Sequence, residues 1–440
     1  MTFGRYRPGA ARNVLIGALI TCGSLGWALA AHAATAGSTP ATASAQVTGS
    51  PADAPSPPAD APSPPADAPS PSDDAPSPPA DAPSPSADAP SAGPAAPAPE
   101  AAPPPEAAPA EAYRFAVNPN LNDEVVGEVQ MTEANQQDTL ADIGRRFSVG
   151  YNEIHRANPG VDMWVPGAGR RVVLPTQFIL PDAPPVGIVV NIAEMRLYYF
   201  APRSHDGKQI VYTYPIGIGR VDWKTPSGVT TVVRKVINPV WRPPADILQE
   251  HRADGDPLPA EIRPGPDDPM GTRALYLGWP EYAIHGTNKP VGVGMRVSHG
   301  CMHLYPEEIL QLYDLVPVGT PVRVVNQPFV FGWHRGDLYM QAFGPLDGDQ
   351  RNWQTATRAL LEQAMGPNIQ KQLQARNEQV RWDLVLQLAR DPRGIPVAIT
   401  ESNASLDEVL ANARQVQNRS PDGAPPTAMQ STRRRLADRQ

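Results

Sequence analysis

His285-Gly-Thr-Asn-Lys-Pro-Val-Gly-Val-Gly-Met-Arg-Val-Ser-His-Gly-Cys-Met-His303 is the stretch on which the reading of this chain turns. It holds three of the chain's eight histidines and the only cysteine beyond Cys22. Three readings compete for Cys301. A thiol among histidines can be a zinc ligand set, and alternation along a strand would put His299, Cys301 and His303 on one side. Alternate positions on one strand, however, wrap a tetrahedral ion poorly. A small buried apolar side chain is the common state of free cysteine, but that state does not call for Gly300 beside the thiol and Gly286 beside a histidine. The third reading is nucleophilic catalysis. A thiol at its ordinary pKa is mostly protonated near neutrality, and an imidazole both lowers that pKa and takes the proton. Gly300 lets the backbone approach a substrate, and the amides around Gly300 and Cys301 can face a developing oxyanion. This reading calls for no metal and no cofactor.

Around the cluster, residues 186–326 are patterned as strands. Gly187-Ile-Val-Val-Asn-Ile192 and Arg196-Leu-Tyr-Tyr-Phe200 predict a hairpin, and Gln209–Tyr214 follows a glycine-containing turn. Pro215–Gly219, Thr230–Val236 and Pro321–Val325 continue the pattern. The expected fold is a mainly β sandwich or barrel with a short helix near Pro306–Tyr313. Upstream, residues 128–175 predict a small α+β unit. Asp138-Thr139 can cap a helix bearing Leu140, Ile143 and Phe147, and a second helix carrying Tyr151, Ile154 and Ala157 stops at Asn158-Pro159. A strand over 171–175 closes the unit. From Gln350 the pattern turns helical: Trp382, Val385, Leu386 and Ala389 share a face, and Ser405-Leu-Asp-Glu408 reads as a capping box.

The spacing His285-Gly-Thr, twelve residues, Ser298-His299-Gly300-Cys301 resembles the signature of the YkuD-type L,D-transpeptidases. Asn191–Tyr199, Tyr214–Gly219, Asn238-Pro-Val-Trp241 and Pro264–Pro269 are similar to the Gram-negative periplasmic branch. The 128–175 unit resembles a LysM module, which binds glycan strands of the cell wall, although Asn135-Gln-Gln137 stands where a Tyr-x-Val strand usually enters. The resemblance implies that Cys301 attacks the stem-tetrapeptide carbonyl between the third residue and terminal D-alanine. The resulting thioester passes its acyl group to an amine, giving a 3-3 cross-link or an attached outer-membrane lipoprotein. It implies His285 as base, oriented by the Gly286 backbone, with Ser298, His299 and Gly300 in support. Arg296 and His303 are the implied substrate contacts, and His303 stands where relatives carry Arg or Asn. Water as acceptor would make the chain an L,D-carboxypeptidase, and a vestigial site would leave a wall-binding anchor. A papain-like protease is disfavoured, since no cysteine near the start of a mature domain is followed by a distant histidine.

The N-terminus reads as an export signal. Arg5, Arg7 and Arg12 precede an apolar run from Val14 to Ala31, and Ala31-His-Ala33 offers a cleavage site. Cleavage would place the mature chain in the periplasm with one cysteine. Residues 34–112 are low complexity, and within them Pro51-Ala-Asp-Ala-Pro-Ser-Pro57 recurs with a seven-residue period, closely at 58–64 and 65–71 and loosely to about Pro90. Prolines exclude helix, so the segment is expected to be an extended tether reaching on the order of 200 Å. The 55 prolines and 6% aromatics reflect this segment. A net charge of −8, with no basic stripe in the central part, argues against nucleic acid as a partner. The expected layout is a signal over 1–33, a tether over 34–112, the LysM-like unit over 113–182 and the catalytic domain over 183–326. A β extension with helices follows over 327–415, then a basic tail over 416–440.

Overall fold

The computed structural model describes residues 113–117, 123–205 and 207–418. The expected export signal, the proline tether and most of the basic tail lie outside the described residues. Among those described, no helix is long and apolar enough to cross a membrane.

The frame that carries the signature is a nine-stranded sheet. Its order is Tyr113–Val117, Gln209–Pro215, Arg196–Phe200, Gly187–Asn191, Pro321–Val325, Gly228–Ile237, Arg273–Leu277, Ala283–His285 and Met302–His303. Neighbours run antiparallel except at two places: Gly187–Asn191 beside Pro321–Val325, and Ala283–His285 beside Met302–His303. Within it Ile188-Val-Val190 reads as an unbroken apolar run because both faces of its strand are covered. Ile188 and Val190 pack on one side with Leu197, Tyr214, Ile284 and Met302, under the helix Pro306–Leu315 that contributes Ile309 and Leu312. Val189, Tyr198 and Val211 face the other way, against Phe178 and Val126. The mainly β catalytic fold therefore matches the expectation. The first strand differs in its place: Tyr113–Val117 lies on the edge of the large sheet beside Gln209–Pro215, not within the small unit.

The small unit runs strand Gln130–Glu133, helices Leu140–Arg146 and Tyr151–Ala157, then strand Arg171–Leu174, with the two strands paired antiparallel. Thr139 caps the first helix by accepting from the Asp142 amide, and the Asp142 carboxylate accepts from the Thr139 amide in return. The loop between the helices docks on the sheet. Arg196, fully buried, donates to both carboxylate oxygens of Glu153 at 2.7 and 2.8 Å and to the Ser148 carbonyl at 2.9 Å. Stranding one member of such a buried pair costs about 3–5 kcal/mol. The Tyr151 and Asn152 amides donate to the Val293 and Gly294 carbonyls, so this unit braces the loop that leads into Arg296.

After the catalytic sheet, a hairpin of Phe329–His334 and Asp337–Ala342 builds its own core with the helices Thr357–Arg376 and Trp382–Arg390. The chain then returns to the small unit. Arg414–Gln415 adds a parallel strand to Gln130–Glu133, and the Asn418 side chain donates to the Glu133 carbonyl and to Asp138. Residues 416–418, expected as the start of a solvated tail, are thus held by a sheet edge whose backbone groups needed partners.

Candidate active site

The signature does not form one strand. Arg296–Ser298 pairs with Ile218–Gly219, Met302–His303 pairs with Ala283–His285, and residues 299–301 turn between them. Gly300 sits at φ +103, and a Cβ there would lie 2.7 Å from the Tyr282 ring, so glycine is required on both counts. Ser298 Oγ closes the turn by donating to the Cys301 carbonyl at 2.6 Å. Thr225 Oγ1 donates to the Gly300 carbonyl at 2.8 Å and accepts from the Gly219 amide at 2.9 Å. The expected alternation of His299, Cys301 and His303 on one strand face is therefore overturned, because a left-handed residue breaks the pleat between them.

Cys301 is partly exposed and packs against Met270, Ala274 and Ala283. Ala283 and His285 share a face of their strand by alternation, which brings thiol and imidazole to the same side of the sheet end. The Sγ donates to the Glu281 carbonyl at 3.5 Å, and Glu281 itself holds φ +68, a strained turn beside the thiol. His285 Nδ1 lies 2.6 Å from the Gly286 carbonyl. That contact assigns the proton to Nδ1 and leaves the basic lone pair on Nε2. Burial lowers the His285 pKa to about 4, against the opposing pull of the Gly286 and Met270 carbonyls. Burial pushes the Cys301 thiol up to about 11, opposed by a backbone contact from Ala283 and reinforced by the Glu281 carboxylate. Both shifts favour neutral partners, so the resting pair is thiol and imidazole and not thiolate and imidazolium.

The other histidines have different places. His299 Nε2 lies 3.3 Å from Glu250 of the helix Ala245–Ala253, and its ring meets Trp223 edge-on. Arg220 grips the same Glu250 carboxylate. His299 thus faces that helix, not the thiol. His303, expected as a substrate contact, is buried: a Cβ on Gly217 would sit 2.1 Å from its ring. Burial lowers its pKa to about 3, His285 adds to the fall, and the Gly292 carbonyl opposes it. The ring is wedged between Gly217 and Gly292, its centroid 6.2 Å from that of His285. Arg296 donates to the Gly219 and Asp347 carbonyls at 3.3 and 2.9 Å. Thr225, Glu250, Glu281 and Tyr282 were not singled out from sequence, and no local pattern distinguishes them.

Residues 185–324 match a family model described as the L,D-transpeptidase catalytic domain, YkuD. The probable L,D-transpeptidase YbiS of Escherichia coli K12 is 43% identical over 232 residues, covering 52% of this chain and 74% of that relative. The probable L,D-transpeptidase YcfS of the same organism is 44% identical over 225 residues, covering 50% and 69%. The probable L,D-transpeptidase ErfK/SrfK of Salmonella typhimurium is 41% identical over 229 residues, covering 52% and 72%. The chain belongs to the L,D-transpeptidase family.

L,D-transpeptidases are cysteine-dependent acyltransferases, and a neutral resting pair has a measurable signature in this one. A raised thiol pKa means that thiolate appears only as pH climbs toward it. Alkylation of Cys301 by iodoacetamide should be slow at pH 7 and rise steadily through pH 10. A rate already at its plateau by pH 7 would mean that the thiol is ionised at rest, against the geometry described.

Proposed function

We propose that this L,D-transpeptidase uses Cys301 as nucleophile and His285 as general base on peptidoglycan stem tetrapeptides. The observation that carries this is a buried, tautomer-fixed imidazole on the same sheet face as the one thiol among the described residues. As Sγ bonds to the carbonyl carbon between the third residue and D-alanine, its proton passes to His285 Nε2. Because the pair starts neutral, transfer and attack proceed together. The oxyanion meets amides of the turn at Gly300 and Cys301. The imidazolium returns the proton to the departing amine, D-alanine leaves, and a thioester remains. An acceptor amine then attacks the thioester carbonyl, yields its proton to His285 and restores the thiol. Gly286 orients the base, Ser298 and Thr225 hold the turn, and Arg296 ties its approach.

We place the activity in the periplasm, with the proline-rich tether giving the body reach. The small unit we read as LysM-like. Its strand–helix–helix–strand order supports that reading, as does Trp164, half exposed 6.4 Å from the Tyr151 ring and able to stack on a sugar. The acceptor is a second stem peptide, an outer-membrane lipoprotein or water.

The deciding experiment is mass analysis of purified disaccharide-tetrapeptide after incubation with the enzyme. Loss of D-alanine with formation of a 3-3 dimer is the expected product pattern. Tripeptide alone would assign water as the acceptor, and unchanged tetrapeptide would overturn the proposal.

A further inference from the structure

A cleft of about 280 Å³ lies beside the signature, lined in part by Thr225 and Arg296. Its floor includes Gly219 and Thr225, and its far wall is the segment Leu346–Gln350, which follows the residues of the matched family domain. Gly219 packs so closely on the turn that a Cβ there would lie 2.9 Å from the Gly300 Cα, and Thr225 holds the Gly300 carbonyl. The cleft floor is thus in direct contact with Gly300, the residue next to Cys301 along the chain.

The charges there are unequal. Asp349 is committed: its carboxylate pairs with Arg351, which holds its pKa down to about 2. Arg296 spends two donors on the Gly219 and Asp347 carbonyls, which tie floor to wall, but no carboxylate pairs with it among the described residues. Lys224 lines the cleft with no hydrogen-bond or ion-pair partner among the described residues, its ammonium close to Gly348. Set against the exposed Asp347 side chain, Lys224 and Arg296 leave one positive charge in excess. An unpaired lysine and a fixed guanidinium in a polar cleft suit an anion of carboxylate size.

We propose that this cleft is a carboxylate subsite for a stem peptide, with Lys224 as the specificity-determining residue. The proposal rests on the reading of the substrate class given above and extends it to a site outside the nucleophile and base. A carboxylate entering the cleft bonds Lys224 Nζ, and Arg296 adds its charge while keeping its carbonyl contacts. Donor and acceptor stems both carry carboxylates, and the test below distinguishes them.

The test is a binding titration of the full chain carrying Cys301→Ser, which removes turnover, with and without Lys224→Ala. The ligands are a tetrapeptide stem as donor, a tripeptide stem as acceptor, and versions of each with one carboxylate at a time converted to carboxamide. Lys224→Ala should raise Kd about tenfold for the peptide that occupies the cleft, the effect expected for loss of one charge-assisted hydrogen bond. One of its carboxamides should bind weakly and be indifferent to Lys224→Ala. Selectivity on the tetrapeptide assigns the subsite to the donor, and selectivity on the tripeptide assigns it to the acceptor. Equal weakening of every ligand, or no change in any, overturns the proposal. Turnover by the unmutated enzyme is read separately, so an inactive chain with intact carboxylate selectivity would sink the catalytic reading and leave the subsite standing.

Discussion

Serine in place of Cys301 should abolish D-alanine release and thioester formation while leaving the thermal unfolding temperature essentially unchanged. The side chain is partly exposed, and its polar contacts are a long donation to the Glu281 carbonyl and a backbone contact from Ala283. An alcohol can make the same contacts, so the fold loses little. The chemistry loses nearly everything. A hydroxyl is a far weaker acid than a thiol, and burial has lowered the His285 pKa to about 4, too weak a base to activate an alcohol. Intact-protein mass spectrometry after incubation with tetrapeptide reads the acyl adduct directly. An acylated or active serine variant would remove Cys301 from the mechanism.

Alanine at His285 should slow acylation of Cys301 by about 10²–10⁴, the usual cost of a lost general base. Serine at His299 should cost far less. His299 is nearer to Cys301 along the chain, but Gly300 at φ +103 turns the backbone between them. Its Nε2 is engaged by Glu250 across from Arg220, and its ring leans on Trp223. His285 shares a sheet face with Ala283, against which the thiol packs. Single-turnover acylation measured across pH separates the two, with unfolding curves to confirm that both variants are folded. A dead His299→Ser enzyme beside an acylating His285→Ala enzyme would reverse the roles.

How far each part of this was legible follows from what local sequence can encode. Gly187–Asn191 and Arg196–Phe200 read as strands because two-sided burial demands an apolar residue at every step, and that demand is written locally. Asp138-Thr139 announced a helix start because a cap adjoins the helix it serves, and Thr139 is the N-cap. The burial of His303 was not legible, for the opposite reason. Its ring is buried by Gly217 and Gly292, and neither lies near it along the chain. Glu250 was invisible because its partners Arg220 and His299 are 30 and 49 residues away.

By itself the sequence determined a mainly β domain and the spacing that sets Cys301, beside Gly300, a fixed distance along the chain from His285. Residue type and short-range spacing carry that information, since reactivity and strand pattern are properties of neighbours. Only the tertiary structure put the thiol against the cluster that holds Ala283, turned His299 to Glu250, raised the thiol pKa and lowered that of His285, and clamped the small unit onto the sheet through Arg196. It alone brought Arg414–Gln415 back to Gln130–Glu133 and set Leu346–Gln350 over Gly219. Burial, and with it each shifted pKa, arises from packing between segments tens to hundreds of residues apart, and no local period records those contacts.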